Sequence, residues 1–190
     1  MGAWKPLLPW GGTTMCGAVV GTVLAAGLRP VVVAGYRGAE LEAAFAGRPD
    51  VAVVLNGEWE RGMLGSIRTG AEAVRRLGME SGTGAPAGFF VVPADMPRVP
   101  AVAFARIGAA LSAEDGPRTV FASRGERLGH PVWIPDAFVA GLHDLDPDSR
   151  LRSYLLTLPW TRAEVADDGI FEDLDTPDAY EEARTTILTE

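Results

Sequence analysis

The sequence predicts an α/β protein, a three-layer α/β/α sandwich built around a mostly parallel sheet. Short apolar runs alternate along the chain with segments whose apolar residues recur at helical spacing. The clearest run, residues 89–92, contains only Phe and Val, so we expect a strand buried on both faces by helices. Pro97 cannot extend a ladder, which ends this strand near Asp95, at the sheet edge where open α/β folds bind ligands. Taken alone, Asp95 suits a cap on the next helix and a metal ligand equally well.

The other elements follow in alternating order. Apolar residues between Met15 and Ala26 recur at helical spacing, and Gly27 suits the C-terminal cap of that helix. We then predict strands at Val31–Ala34 and 51–55, helices at 41–45 and 64–77, the second stopping at Gly78, and a surface loop over 78–88. Beyond Asp95 we predict a helix at 102–111, strands at 119–122 and 132–134, and an edge strand at 163–166.

Length and charge limit the classes of protein. The 190 residues suit one domain, residues 1–190, with a sizeable core. The formal net charge is −8 and no Lys/Arg block stands out, which argues against general binding to nucleic acid or acidic membranes. Cys16 is the only cysteine, so it forms no internal disulfide, and no Cys/His cluster offers a zinc site. We identify no membrane span and no secretory signal, and expect a cytoplasmic enzyme.

The N-terminal segment offers one cation for a ligand. Lys5 lies between Trp4 and Pro6 in a rigid, apolar stretch. A lysine held near a backbone turn neutralises a phosphate as a point charge. The alternative is a solvated lysine with no ligand, and the spacing leaves both interpretations open.

The segment after the second predicted strand combines glycines with polar residues. Gly62 and Gly65 allow the backbone to approach a ligand, and Ser66 lies near a helix N-terminus, where N–H groups point outward. Asn56 offers both a donor and an acceptor, enough to read the edge of a nucleobase. The alternative is an asparagine in a turn followed by a helix cap.

Two further residues are candidates for substrate contact. His130 comes just before a predicted strand, although a lone histidine is more often a structural hydrogen-bonding residue. Arg150 follows Asp148 and Ser149, a segment suited to capping a helix while the arginine faces a groove.

Acidic and apolar residues alternate near the end of the chain. If Leu174 points inward, Asp173 and Asp175 share the opposite face. Thr176 caps the following helix with Pro177 at its first position, which explains part of this motif but not the two acids. Carboxylates from here and from Asp95 meeting at one sheet edge suit Mg²⁺, which takes one or two carboxylates plus substrate phosphates.

The ordered set of motifs resembles the MobA-like nucleotidyltransferases, and within them the molybdenum cofactor cytidylyltransferases. The family's opening pattern ends in Met-Gly-x-x-Lys-x-Leu-Leu-Pro, which this chain matches from Met1 to Pro9. The further matches, in order, are Asn56 and Trp59, Gly62-Met63 with Ser66, Asp95-Met96-Pro97, Gly129-His130-Pro131, and Asp173-Leu174-Asp175-Thr176-Pro177. The resemblance covers nearly the whole chain, and the lysine spacing, Gly62-Met63 and Gly129-His130-Pro131 favour the cytidylyl branch over the guanylyl branch.

The resemblance implies a Rossmann-like fold of the nucleotide-diphospho-sugar transferase type and a Mg²⁺-dependent reaction. The terminal phosphate of the molybdenum-pterin cofactor would attack the α-phosphorus of CTP and release pyrophosphate. The nucleophile is already anionic near neutral pH, so no general base is needed, and catalysis depends on in-line positioning and charge neutralisation. A molybdenum hydroxylase, or its insertion chaperone, would receive the product.

The resemblance also implies roles for individual residues. Lys5 and Asp95 are the expected catalytic residues, with Lys5 on the phosphates. Asp95, Asp175 and Asp173 are the expected metal ligands. The expected nucleotide contacts are Lys5, Asn56, Gly62, Ser66 and Asp95, and the expected contacts on the pterin side are His130 and Arg150.

One departure from the family pattern concerns the segment that precedes Met-Gly. The family's first strand and Gly-rich turn are not found in this sequence, so we expect unpaired edges on Val31–Ala34 and on the Asp95 strand. We also expect weak CTP binding and little turnover, both restored by an extension that supplies the strand. The alternatives are a guanylyl or other nucleotidyl transferase of the same fold, and a non-catalytic accessory protein that binds the molybdenum cofactor.

Overall fold

The computed structural model describes residues 4–111 and 116–187. Its strands are β1 Pro9–Trp10, β2 Thr13–Thr14, β3 Val31–Ala34, β4 Ala52–Leu55, β5 Gly88–Val91, β6 Thr119–Arg124, β7 Arg127–Pro135 and β8 Trp160–Glu164. Its helices are α1 Met15–Ala25, α2 Gly38–Ala44, α3 Met63–Glu80, α4 Ala101–Ala109, α5 Val139–His143, α6 Leu151–Leu155 and α7 Pro177–Ile187. Short 3₁₀ turns lie at Lys5–Leu7, Trp59–Arg61, Asp136–Phe138 and Asp168–Phe171. The alternation of strands and helices confirms the α/β class.

The main strands form two separate blocks. β3 pairs in parallel with β4, and in the other block the order is β5-β7-β6-β8. β7 runs antiparallel to both β5 and β6, whereas β6 and β8 are parallel. The pairing is therefore more mixed than the mostly parallel sheet that the sequence predicts. The reason is the tight turn between β6 and β7, where Gly125 has a φ of 59° and returns the chain as a hairpin.

Helices cover this sheet on both faces, as expected for three layers. Alternate residues of β6 point to opposite sides: Val120 and Ala122 pack with residues of α4, and Phe121 packs with Leu155 of α6. Helix α3 lies on the α6 side, where Leu64 and Ile67 pack with Leu142 of α5. Within the part of the chain that the structure describes, none of these helices has the length and hydropathy needed to span a membrane.

Strand β5 differs from its prediction in length and burial. It ends at Val91, ahead of Pro93 and well before Asp95. Residues 89–91 are only half-buried, not covered on both faces. The cause is that β5 has a strand neighbour, β7, on one side, while its other edge borders a large cavity.

Gly78 does not end α3, as the sequence predicted, because the helix continues to Glu80. A Cβ at Gly78 would lie 2.5 Å from the carbonyl oxygen of Gly84, so the glycine allows the following loop to pack directly on the helix. Gly78 therefore indicates a close approach of two backbone segments and not the end of the helix.

Two other predictions were wrong in their boundaries. His130 lies inside β7 and not ahead of it, because the hairpin starts at Arg127. The edge strand β8 covers Trp160–Glu164, three residues earlier than predicted at its start, because it pairs with β6 from Thr119 onward.

We expect the thiol of Cys16 to be unreactive in the native protein. Cys16 lies at the start of α1, 2% exposed, and burial raises its pKa to about 12. At about pH 8 its thiolate fraction is then on the order of one in ten thousand, and the thiolate is the reactive form. Ellman's reagent should label the protein stoichiometrically in guanidinium chloride but leave it unlabelled in native buffer, and reactivity should rise as the pH approaches 12. Rapid native labelling at about pH 8 would contradict the burial of this thiol.

Candidate active site

A cavity of about 1640 Å³ brings together residues from both halves of the fold. It lies between β3 and β5, with α1 and α3 among its walls. Six of the residues predicted for the site line it: Lys5, Ser66, Asp95, His130, Asp173 and Asp175. Asn56, Gly62 and Arg150 are not part of its lining.

Lys5 links the two acidic segments. Its Nζ lies 3.6 Å from Oδ2 of Asp95 and donates a hydrogen bond to Oδ1 of Asp175. The main chain fixes this arrangement, because the N–H of Leu174 donates to the carbonyl oxygen of Asp95 over 3.1 Å. Residues 170 positions apart in the sequence thus form one ion-pair cluster.

Asp175 and Asp95 keep the side chain of Lys5 positively charged. Partial burial alone lowers the pKa of Lys5, but the hydrogen bond and charge of Asp175, with the charge of Asp95, outweigh it and raise the pKa above its usual value. Lys5 is therefore a cation at neutral pH. One positive charge against two carboxylates leaves the cluster with a net negative charge, which favours a divalent cation.

The alternating acids take the geometry expected from their sequence. Leu174 is 3% exposed and packs in the core, while Asp173 and Asp175 are exposed on the opposite side and line the cavity. Thr176 Oγ1 accepts a hydrogen bond from the N–H of Ala179 over 3.2 Å, which confirms its capping role in α7.

Asp95 has no role as a helix cap. The next helix, α4, begins at Ala101, and its preceding residue is Pro100. The carboxylate of Asp95 instead pairs with Lys5 and faces the cavity. The structure thus removes the structural alternative that the sequence left open for this residue.

The oxygen donors around Lys5 are suited to a hard divalent cation. Among the described residues, no group of three or more His, Cys, Asp or Glu side chains is close enough to form a protein-only metal site. Asp95 and Asp175 supply two carboxylates, the donor number typical of Mg²⁺ ions that also bind substrate phosphates and waters. The donor set therefore fits such an ion.

Asn56 connects the loop after β4 to helix α3. Its Nδ2 donates to Ser66 Oγ over 3.1 Å, and its Oδ1 accepts from the N–H of Glu58 over 3.0 Å. It is 7% exposed. These bonds correspond to the turn role that the sequence offered as the alternative to a nucleobase contact.

Gly62 and Ser66 mark the start of α3. Gly62 has a φ of 101°, a conformation that favours glycine, and α3 begins at the next residue. No side chain caps this end of the helix, so its first N–H groups have no side-chain partner there. Ser66 lies one turn into the helix and faces the cavity.

His130 is half-buried beside β5, with Nδ1 3.4 Å from the carbonyl oxygen of Val91. Burial lowers the pKa of His130, and the charge of Arg152 acts in the same direction. The hydrogen bond to Val91 and the charges of Asp95 and Asp173 oppose this, but burial prevails. His130 is therefore neutral at pH 7.

Arg152 lines the cavity, whereas Arg150 does not. Arg150 is the residue before α6, and no side chain caps that helix, so Asp148 and Ser149 do not have the capping role that the sequence favoured. The turn is held instead by Asp146, whose Oδ1 accepts from the N–H of Asp148 over 2.9 Å.

Sequence reasoning also missed an aromatic pair beside the cavity. The rings of Tyr36 and Trp59 lie 5.3 Å apart at their centroids, and Tyr36 lines the cavity. Trp59 matches the family pattern, but the pairing with Tyr36 is not part of it. A Cβ at Gly35 would lie 2.5 Å from Cβ of Trp59, so glycine leaves room for the indole.

Comparisons with known proteins identify similar sequences and similar folds. The chain is 25% identical over 180 residues to the molybdenum cofactor cytidylyltransferase of Escherichia coli strain K12, which covers 95% of this chain and 86% of that protein. A nucleotidyl transferase from Methanothermobacter superposes with a TM-score of 0.75 at 22% identity, over 97% of this chain and 85% of that chain. A manganese complex of a protein from Mycobacterium tuberculosis H37Rv superposes with a TM-score of 0.70 at 21% identity, over 96% of this chain and 91% of that chain.

The solved structures confirm the Rossmann-like fold of the nucleotide-diphospho-sugar transferase type. The family described as MobA-like NTP transferase domain matches residues 1–163, well over half of the chain. The chain therefore belongs to the MobA-like NTP transferase family.

Proposed function

We propose that the protein transfers CMP from CTP to the terminal phosphate of a molybdenum-pterin cofactor, with release of pyrophosphate. Membership of the MobA-like NTP transferase family supports nucleotidyl transfer as the class of reaction. The choice of CTP and of the pterin acceptor is supported by the likeness to the E. coli molybdenum cofactor cytidylyltransferase. The observation that carries the proposal is the Lys5–Asp95–Asp175 cluster at one end of the large cavity.

Asp95 and Asp175 would hold a divalent cation, which we propose to be Mg²⁺. When bound, such an ion neutralises negative charge on the phosphates. The two carboxylates already face one point, the Nζ of Lys5. Asp173, exposed on the same side, would be a supporting carboxylate and not a required ligand.

Lys5 would neutralise the triphosphate while the acceptor attacks. Lys5 is the first residue of its 3₁₀ turn, Pro6 is the second, and the lysine lines the cavity. The attacking phosphate is anionic, so the site needs positioning and positive charge but no general base. His130, neutral at pH 7, adds no charge to this site.

The nucleoside would lie against the start of α3. The N-terminal amides of this helix lack a side-chain cap and favour negatively charged or polar ligand atoms. Ser66 faces the cavity, and Asn56 holds Ser66 in place through its amide. Gly62 would let the backbone approach the ribose.

The pterin would lie on the opposite side of the cavity. His130 and Arg152 line this side, and Arg152 takes the role that the sequence analysis gave to Arg150. An arginine suits the phosphate of the acceptor, since its guanidinium binds phosphate in a bidentate manner. A molybdenum hydroxylase or its insertion chaperone would then accept the nucleotide-linked cofactor.

A nucleotide panel tests the proposal. We expect CTP with Mg²⁺ to raise the melting temperature of the protein more than GTP, ATP or UTP, because a ligand that binds only the folded state stabilises it. Addition of molybdenum-pterin cofactor should then release pyrophosphate. Greater stabilisation by GTP would contradict the cytidylyl assignment. Cofactor binding without pyrophosphate release, under conditions where CTP binds, would indicate an accessory binding protein.

A further inference from the structure

Tyr180 of α7 reaches back to the segment that carries Lys5. Its hydroxyl donates a hydrogen bond to the carbonyl oxygen of Pro9 over 2.5 Å, between residues 171 positions apart in the sequence. Its ring lies 6.3 Å from that of Trp10 at the centroids, and the residue as a whole is 6% exposed. A hydrogen bond and a buried aromatic contact therefore join α7 to β1.

The two residues joined by this bond each follow a member of the ion-pair cluster closely. Pro9 comes four residues after Lys5, and Tyr180 comes five residues after Asp175. Lys5 and Asp175 are themselves hydrogen-bonded to each other at the cavity. The N-terminal segment and the acidic segment are thus connected twice, once by an ion pair at the cavity and once by a buried ring with its hydroxyl.

Backbone hydrogen bonds fix the short stretch of chain on each side. The N–H of Leu8 donates to the carbonyl oxygen of Lys5 over 2.9 Å. In α7, the N–H of Tyr180 donates to the carbonyl oxygen of Thr176 over 3.1 Å. The position of the Tyr180 ring therefore constrains that of Asp175, the residue before Thr176.

Apolar packing supports the acidic segment from the side opposite the cavity. Trp10, Met15, Leu174, Tyr180 and Ala183 form one buried cluster. A phenylalanine in place of Tyr180 would fill the same space, so the apolar contact does not require the hydroxyl. The hydroxyl adds a directional bond to the main chain, which packing alone does not supply.

The ion pair cannot hold the acidic segment while the proposed site is in use. A divalent cation between Asp95 and Asp175 would replace Lys5 as their positive partner, and the proposed phosphate contact takes the lysine towards the ligand. The bond between Tyr180 and Pro9 is independent of this exchange, because it joins a hydroxyl to a main-chain carbonyl and involves no charged group.

We propose that Tyr180 is a positioning residue, whose bond to Pro9 holds Asp175 beside Asp95 when Lys5 turns to the phosphates. Tyr180 touches neither the metal nor the nucleotide in this arrangement and acts through Asp175. The inference rests on the proposed function for the role of the metal. The placement of the acidic segment, however, can be measured without metal or nucleotide.

Hydrogen exchange and Mn²⁺ binding of Tyr180→Phe test the proposal. The N–H of Leu174 donates to the carbonyl oxygen of Asp95, so its exchange reports where the acidic segment lies. We expect this amide to exchange roughly tenfold faster and Mn²⁺ to bind about three- to tenfold more weakly. Tyr154→Phe is the matched control, since that hydroxyl donates to the carbonyl oxygen of Phe138, and it should change neither readout.

The dependence of transfer on Mn²⁺ separates positioning from a loss of folded protein. In Tyr180→Phe, saturating Mn²⁺ should restore the rate of the unsubstituted chain, whereas a lower folded fraction would reduce the rate at every Mn²⁺ concentration. In an Asp175→Asn background, Tyr180→Phe should leave the Mn²⁺ affinity unchanged, because the ligand through which it acts has been removed.

Unchanged exchange at Leu174 in Tyr180→Phe would overturn the proposal. Faster exchange with unaltered Mn²⁺ affinity would also overturn it, as would an equal loss of affinity with and without Asp175→Asn. If the unsubstituted chain bound no Mn²⁺, the proposed metal site would be wrong, and exchange at Leu174 would still decide whether Tyr180 positions the acidic segment.

Discussion

Asp95→Asn should weaken Mn²⁺ binding by at least about tenfold and reduce nucleotidyl transfer by roughly 100-fold. The substitution keeps the size and shape of the side chain but removes the charge that faces Lys5 and the cavity. Asp95 is also the better shielded of the two proposed ligands, with 29% of its side chain exposed against 63% for Asp175. Its loss should therefore have the greater effect on the metal.

Electron paramagnetic resonance of Mn²⁺ measures the binding, and pyrophosphate release measures the transfer. Asp178→Asn is the matched control, since Asp178 is exposed in the first turn of α7 and has no contact with the cluster. It should leave both readouts unchanged. Metal affinity in Asp95→Asn equal to that of the control would show that Asp95 is not a ligand.

Lys5→Met should have opposite effects on metal binding and on turnover. Without the lysine, Asp95 and Asp175 lose the cation that now lies between them, so Mn²⁺ should bind more tightly in the absence of nucleotide. The same substitution removes the positive charge proposed to contact the triphosphate, and we expect transfer to fall by about 10²- to 10³-fold. The methionine keeps the apolar stem of the side chain and thus its packing.

Isothermal titration with Mn²⁺ and with CTP separates the two effects. Lys5→Arg, which keeps the charge, should retain the metal affinity of the unsubstituted chain and lose less of the transfer rate. If Lys5→Met bound Mn²⁺ more weakly, the lysine would be organising the carboxylates and not competing with the metal for them.

The position of Asp95 at the edge of the sheet follows from local sequence pattern. Asp95 follows the apolar run of β5, and the carboxyl end of a strand is where open α/β folds bind ligands. The alternation around Leu174 likewise determines which face the acids occupy. For Lys5 the spacing left two interpretations open, and the match to the family pattern favours the phosphate contact.

The sequence indicates less clearly which side chains of a helix or loop face the cavity and how the strands pair. Arg150 was predicted to face a groove beside a helix cap, whereas α6 begins without a side-chain cap and Arg152 lines the cavity. The hydrogen bonds of Asn56 depend on the path of a loop, which no periodicity encodes. The insertion of β7 between β5 and β6 depends on a two-residue turn, so the mixed pairing follows from tertiary contacts rather than from the apolar runs.

The bond between Leu174 and Asp95, together with the pairing of Lys5 and Asp175, has a consequence for synthesis of the protein. A ribosome makes Lys5 and Asp95 long before residues 173–175, so a nascent chain carries the lysine and its first carboxylate without the second. The proposed divalent-cation site can therefore form only after the acidic segment has left the exit tunnel. Until then the chain presents one of the two carboxylates proposed to hold the ion.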